Sequence, residues 1–260
     1  MNVVRSQPKA AVVVSFIGLG LFLSVSNVLG TLIEYGDFTG STVWFEDVRE
    51  DSGTDPTPLY GTPSVAGDSL DFDPVSFQSH SKGVAGVDVT DGALGLAIQA
   101  KPGLHIPYVD FAERGDYTLV GFNGDAMATV SALFVVNIVE IDGTSVNVIA
   151  LNRSMTFTPQ GQYLLSNGVG PIQQGVWEGQ LRIDLDGALA DRSISGHVTR
   201  VTIVADNTLT TATLTAENEA VIQKKDFSGL AIGVPEPATL SVLLVGTIVC
   251  SFARRIRRSA

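Results

Sequence analysis

Cysteine is nearly absent from this 260-residue chain, the only one being Cys250 in the apolar C-terminal segment. A body without cysteine holds no disulfide, no thiolate metal site and no cysteine nucleophile, so its own core must stabilise it. A body of about 200 residues can do so. Histidine is scarce too: His80, His105 and His197 stand at no ligand spacing, and no His-Glu-x-x-His occurs. Each therefore reads as a surface or strand residue. The two tryptophans, Trp44 and Trp177, form no aromatic cluster of the kind that holds a sugar chain in a cleaving site. There is no Gly-x-Gly-x-x-Gly loop, Walker sequence or Gly-x-Ser-x-Gly elbow, which argues against a nucleotide cofactor and against a hydrolase nucleophile of that type. A Ser-His-Asp triad assembled only in space stays open.

Positive charge is also sparse, 16 Lys plus Arg against 27 Asp plus Glu for a net charge of −11. Six of those basic residues (Arg5, Lys9, Arg254, Arg255, Arg257, Arg258) and one acid, Glu236, lie in the two ends, so the body between them is more acidic still. Such a surface repels phosphate backbones and speaks against nucleic acid as a partner. Acids cluster at Glu46-Asp47, Glu50-Asp51, Asp68 with Asp71 and Asp73, and Asp184 with Asp186. Solvated loops account for them most simply. Two sharper readings exist. Paired carboxylates about 5–10 Å apart would serve a secreted carbohydrate-active hydrolase. Hard oxygen ligands would suit calcium, either at Asp68, Asp71 and Asp73 or at Asp184, Asp186 and the Gly187 carbonyl. The second set is no EF-hand, because the twelfth position is Ser195 rather than glutamate. No other cofactor is expected, and no catalytic residue is assigned.

The body follows period two rather than 3.6. Leu94, Leu96, Ile98 and Ala100 share one face of 93–100, and apolar residues alternate with Arg182 and Asp184 in 181–185, both strand signatures. The stretch 128–141 is apolar on both faces, as a central strand would be. Asp142-Gly143 supplies a tight turn, and 144–152 returns as the second arm of a hairpin. Further strands fit 41–48, 69–72, 84–90, 105–112, 116–122, 199–205, 209–216 and 220–227. Turn signals separate them at Asp55-Pro56, Asp91-Gly92, Pro102-Gly103, Arg114-Gly115-Asp116 and Asn123-Gly124. A short helix is expected after Asp186, through residues 188–190. Many short strands divided by turn residues predict an all-β chain, a single jelly-roll-like β-sandwich over 31–233.

The ends read as addresses. Arg5 and Lys9, the apolar run 10–23, and small residues at Ser24, Ser26 and Gly30 make 1–30 a signal peptide. A permanent N-terminal anchor is the alternative, but about 14 strongly apolar residues are short for a bilayer. At the other end, Pro235-Glu236-Pro237 precedes an apolar segment, 238–253, and a basic tail, 254–260, with Arg254, Arg255, Arg257 and Arg258. As a helix that segment spans about 24 Å, a thin stop-transfer span with its basic end inside. The prolines keep Glu236 on an extended stretch upstream.

This tripartite arrangement resembles the PEP-CTERM sorting signal of Gram-negative bacteria, carried by Val234-Pro235-Glu236-Pro237-Ala238-Thr239, the helix to Ala253 and the arginines. The N-terminal signal implies signal peptidase as a partner, and the resemblance implies an exosortase of the inner membrane. It also implies transient inner-membrane anchoring followed by release to the cell surface or matrix, in a host that makes exopolysaccharide or biofilm. The body is similar to a recurring group of PEP-CTERM proteins through Tyr35-Gly36-Asp37-Phe38-Thr39-Gly40, Leu70-Asp71-Phe72-Asp73-Pro74, Glu113-Arg114-Gly115-Asp116-Tyr117-Thr118-Leu119 and Lys224-Lys225-Asp226-Phe227. That group brings no catalytic residues to carry over. The expected function is a non-enzymatic structural or binding module touching exopolysaccharide, with the secreted hydrolase as the alternative.

Overall fold

A computed structural model of the chain describes residues 31–74, 76–121, 125–165, 171–225 and 230–234. The expected signal peptide and the segment 235–260 lie outside the described residues. No helix among the described residues is long and apolar enough to cross a membrane.

The first sheet contains β1 (Ile33–Thr39), β2 (Val43–Asp51), β6 (Gly86–Ala100), β8 (Ala126–Ile141), β9 (Thr144–Ser154), β11 (Gln162–Leu164) and β13 (Val198–Thr213). Its order is β1-β2-β6-β13-β8-β11, with β9 on the outer edge of β8 as well. The second contains β3 (Ser64–Ala66), β4 (Ser69–Phe72), β5 (Gln78–Lys82), β7 (Tyr108–Val120), β10 (Phe157–Thr158), β12 (Ile172–Asp184), β14 (Glu219–Lys224) and β15 (Leu230–Gly233). There β12 and β7 pair along 13 residues each, and β14 and β15 share the other edge of β7. All pairings are antiparallel. The chain is thus all-β, as the period-two pattern predicts.

The two sheets pack face to face, because alternate residues of their long strands are apolar and turn inward. Phe111 of β7 meets Phe134 of β8 at 4.3 Å between ring centroids, and Tyr117 stacks on Tyr163 at 3.8 Å. The β8–β9 hairpin forms where Asp142-Gly143 predicts it, with φ of 48° and 73° in the left-handed region. The short helix α1 (Leu185–Ala190) also forms, capped by Asp184, whose carboxylate accepts the Gly187 N–H at 2.8 Å.

Three expected breaks are absent. Strand β6 runs straight through Asp91-Gly92, β7 through Arg114-Gly115-Asp116, and β13 through Asp206-Asn207. The glycines serve close approach rather than turning. A Cβ on Gly92 would sit 2.6 Å from the Phe77 ring, and one on Gly115 2.2 Å from the Trp177 indole. Asn207 belongs to a buried polar network between the sheets. Lys224 Nζ donates to Glu113 Oε2 at 2.7 Å and to Asn207 Oδ1 at 3.1 Å. Asn207 in turn donates to the Tyr60 hydroxyl, which donates to the Gly92 carbonyl. Lys224 and Glu113 side chains are both fully buried, and burial lowers the Lys224 pKa against the opposing pull of Glu113. The loop that delivers Tyr60 is held by Glu50, whose buried carboxylate accepts the N–H groups of Leu59, Tyr60 and Gly61 at 2.7, 2.9 and 3.1 Å.

Candidate functional site

Strand pairing assembles one row of large side chains, Trp44 and three polar residues, on the outer face of the first sheet. Trp44 pairs with Gln99, Gln99 with Arg200, and Arg200 with Glu140. These four residues come from β2, β6, β13 and β8; alternation turns Trp44 and Gln99 away from the core, and irregularities at Val198/Arg200 and Ile138/Glu140 bring Arg200 and Glu140 out beside them. The residues next to the row on β6, Gly95 and Ala97, are small, so nothing on that strand rises above it. At the sheet end the row meets a wall built from the β6–β7 loop (Lys101, Pro102, Gly103, Leu104, His105), the Asp142-Gly143 turn and His197. Trp44, Gln99 and Glu140 of the row, with the wall, line a cleft of about 610 Å³, within the size range of small-ligand sites; Arg200 stands beside it, bonded to Gln99.

The row is held by its own hydrogen bonds. Arg200 donates to Gln99 Oε1 at 3.1 Å and pairs with Glu46 at 2.6 Å. Gln99 Nε2 donates to the Thr199 carbonyl at 3.0 Å and to Glu140 at 3.3 Å, and the Thr199 hydroxyl donates to the same Glu140 oxygen at 2.7 Å. Lys101 donates to the Gly40 and Ser41 carbonyls at 2.7 and 3.0 Å, which sets its ammonium 5.9 Å from the centroid of the half-buried Trp44 ring. Asp142 clamps the wall, accepting the His197 N–H at 3.0 Å while its own N–H donates to the His197 carbonyl. Planar donors and acceptors fixed beside an indole can grip a hydroxyl-rich, CH-faced ligand, since each group is already oriented.

Apart from Asp186, the acids that sequence singles out and that bear on a site fall elsewhere or are occupied. Asp68 is buried and braces the β1–β2 turn, accepting the Thr42 N–H at 2.7 Å and hydroxyl at 2.5 Å. Asp71 lies on β4 and faces away from it, Asp73 follows the strand, and both have partners within the fold. Asp184 caps α1. Asp186, in the first turn of α1, approaches the wall of the cleft. Asp91 and Asp206 are neighbours on β6 and β13, and desolvation, then the Asp91 carboxylate, raises the Asp206 pKa.

The histidines are exposed, as sequence predicts, but sequence reading does not bring two of them together. His105 and His197 are 92 positions apart, yet their rings meet at 4.5 Å between centroids, tilted by 36°. Both line the cleft. No spacing signal could announce this, because the two loops become neighbours only when the Ile106 N–H donates to the Val198 carbonyl at 2.8 Å. His80 lies apart on β5, 2.8 Å from Glu219.

No family model matches the chain, and no curated protein matches it. Among solved structures, TmCBM61 in complex with beta-1,4-galactotriose superposes at 10% identity, covering 58% of this chain and 70% of that one, with a TM-score of 0.18. The Clostridium thermocellum xylanase 10B modules CBM22-1-GH10, complexed with xylohexaose, superpose at 8% identity over 62% of this chain and 26% of that one, TM-score 0.19. The Thermotoga petrophila endo-1,3-beta-glucanase catalytic domain does so at 12% identity over 81% and 98%, TM-score 0.18. Superpositions at this level carry no functional argument.

Proposed function

We propose that the chain is an exported, non-enzymatic surface or matrix protein, and that its body binds polysaccharide in the cleft headed by Trp44. The observation that carries the binding part is the preset row of Trp44, Gln99, Arg200 and Glu140. Its charges are largely spent on one another, in the Arg200–Glu46 pair and the Glu140 hydrogen bonds. The cleft therefore suits a neutral, hydroxyl-rich glycan better than a strongly charged ligand. The strand order β5-β14-β7-β12 against β6-β13-β8-β9 supports a jelly-roll form of the sandwich.

Binding is tested by electrophoresis through gels containing the producing cell's own exopolysaccharide. The protein is expected to be retarded, and Trp44→Ala to lose the retardation while keeping its melting temperature within about 2 °C, since the residue is outside the core. Free migration in every matrix fraction would leave a structural role only.

Delivery rests on the residues that resemble the PEP-CTERM signal. In this reading Pro235-Glu236-Pro237 is read by an exosortase, while the apolar segment and Arg254, Arg255, Arg257 and Arg258 hold the chain in the inner membrane. Glu236→Ala should let a longer, membrane-bound precursor accumulate, seen by intact-mass analysis of membrane and matrix fractions. Matrix protein from the normal strain that still ends at Ala260 would show the tail to be only an anchor.

A further inference from the structure

We infer that His105, Asp186 and His197 form a divalent transition-metal site of the zinc class at the wall of the cleft. One ligating atom from each residue lies within 4.8 Å of the other two. Tetrahedral zinc with ligand bonds near 2.0–2.2 Å needs its ligands about 3.3–3.5 Å apart. Small ring and carboxylate rotations of partly exposed side chains cover that difference.

A second observation points to a missing ligand. Asp186 Oδ1 is shielded from solvent and has no hydrogen-bond partner. It faces His197 Nδ1 at 3.9 Å, too far for a hydrogen bond. A carboxylate oxygen withdrawn from water without a donor is costly, and a cation placed between it and the two imidazoles would relieve the cost.

The backbone under the three residues is already tied together. The Pro107 carbonyl, two residues after His105, accepts the N–H groups of Leu185 and Asp186 at 2.9 and 3.1 Å. Asp184 fixes the start of α1 through Gly187, and Asp142 holds the His197 N–H. The site therefore rests on elements positioned independently of any metal. Two imidazole nitrogens and one carboxylate oxygen favour zinc, copper or nickel over calcium, which takes six to eight oxygens. This differs from the calcium reading of Asp184 and Asp186: Asp186 is kept, its partners are histidines, and Asp184 is the helix cap. With three protein ligands a coordination position stays open beside the cleft.

The test is titration of full-length protein, carrying no histidine tag, with zinc in competition with a metallochromic indicator. One equivalent is expected to bind with micromolar affinity and to raise the melting temperature by ligand linkage. His105→Ala and His197→Ala should each lose binding, Asp186→Asn should weaken it more than tenfold, and His80→Ala should change nothing. Excess calcium should not compete. Apo melting temperatures of the variants report folding separately. Zinc uptake that is absent, or unchanged in either histidine variant or in Asp186→Asn, would overturn the assignment and leave an imidazole–carboxylate pair. No saccharide enters the experiment, so its outcome is independent of glycan binding.

Discussion

Lys224→Met is expected to destabilise the sandwich by about 3–5 kcal/mol, because it leaves the Glu113 carboxylate buried with no counter-charge. Glu113 Oε1 already lacks a partner, so the Lys224 ammonium at Oε2 is the main compensation for its desolvation. The double variant Glu113→Leu, Lys224→Met should recover most of the loss. Similar-volume apolar residues remove both charges from an interior that already holds Phe77 and Trp177, whose rings lie 5.3 and 5.5 Å from Lys224 Nζ. Recovery should stop about 1–3 kcal/mol short, since Asn207 Oδ1 then loses its donor. The sign of the pH effect follows from the lowered Lys224 pKa. A folded-state pKa below the unfolded one means that this group adds stability above the unfolded value, and that the addition is lost as pH falls through the folded value. The wild type should therefore gain stability on alkaline titration relative to the double variant. Urea unfolding of the three proteins at neutral and alkaline pH measures all of this. A single variant as stable as wild type would mean that the pair is not buried as described.

Gly115→Ala is expected to cost about 3 kcal/mol, at or above the upper end for overpacking. The added Cβ would lie 2.1 Å from the Gln223 carbonyl and 2.2 Å from Trp177. The first contact is backbone of the paired strand β14, which cannot move without opening the sheet. The second is a fully buried indole fixed by Phe157, edge-on at 5.5 Å between ring centroids, and by the Asp116 carbonyl. Gly53→Ala is the matching control, because its Cβ would meet nothing within 4 Å, and it should change stability by less than about 0.5 kcal/mol. Equal melting temperatures for the two alanine variants would contradict this packing of β7, β12 and β14.

These two sites explain what the sequence concealed. The hairpin at Asp142-Gly143 was legible because a polar-glycine pair sat between two apolar runs and did what its conformational freedom allows. Gly115 and Gly92 carry the same local signal but answer to large aromatic neighbours, Trp177 and Phe77, that come close only in the folded sandwich. Asn207 reads as a break in β13 because its partners, Tyr60 and Lys224, are distant in sequence. Strand β5 escaped for a related reason. Its inward residues are Ser79 and Ser81 rather than aliphatics, and Ser79 is paired with the Thr211 hydroxyl across the sheets at 2.9 Å. Two of the quoted body stretches, Glu113 to Leu119 and Lys224 to Phe227, supply the buried ion pair and the glycine seat. Their shared role within the described residues is structural, between β7 and β14. The cleft was less legible than the fold. Trp44 was visible, but its alignment with Gln99, Arg200 and Glu140 depends on register across four strands, and the histidine pair depends on two loops meeting.

The most direct test of glycan binding in the cleft uses the contrast between the two tryptophans. Trp177 is fully buried, whereas Trp44 is partly exposed in the cleft, so acrylamide quenching of indole fluorescence reports chiefly on Trp44. Oligosaccharides cut from the producing cell's exopolysaccharide should protect that emission in a saturable way, and Trp44→Phe should abolish the protected component. Saccharide that binds while quenching of Trp44 stays unchanged would place the binding surface elsewhere and contradict the account.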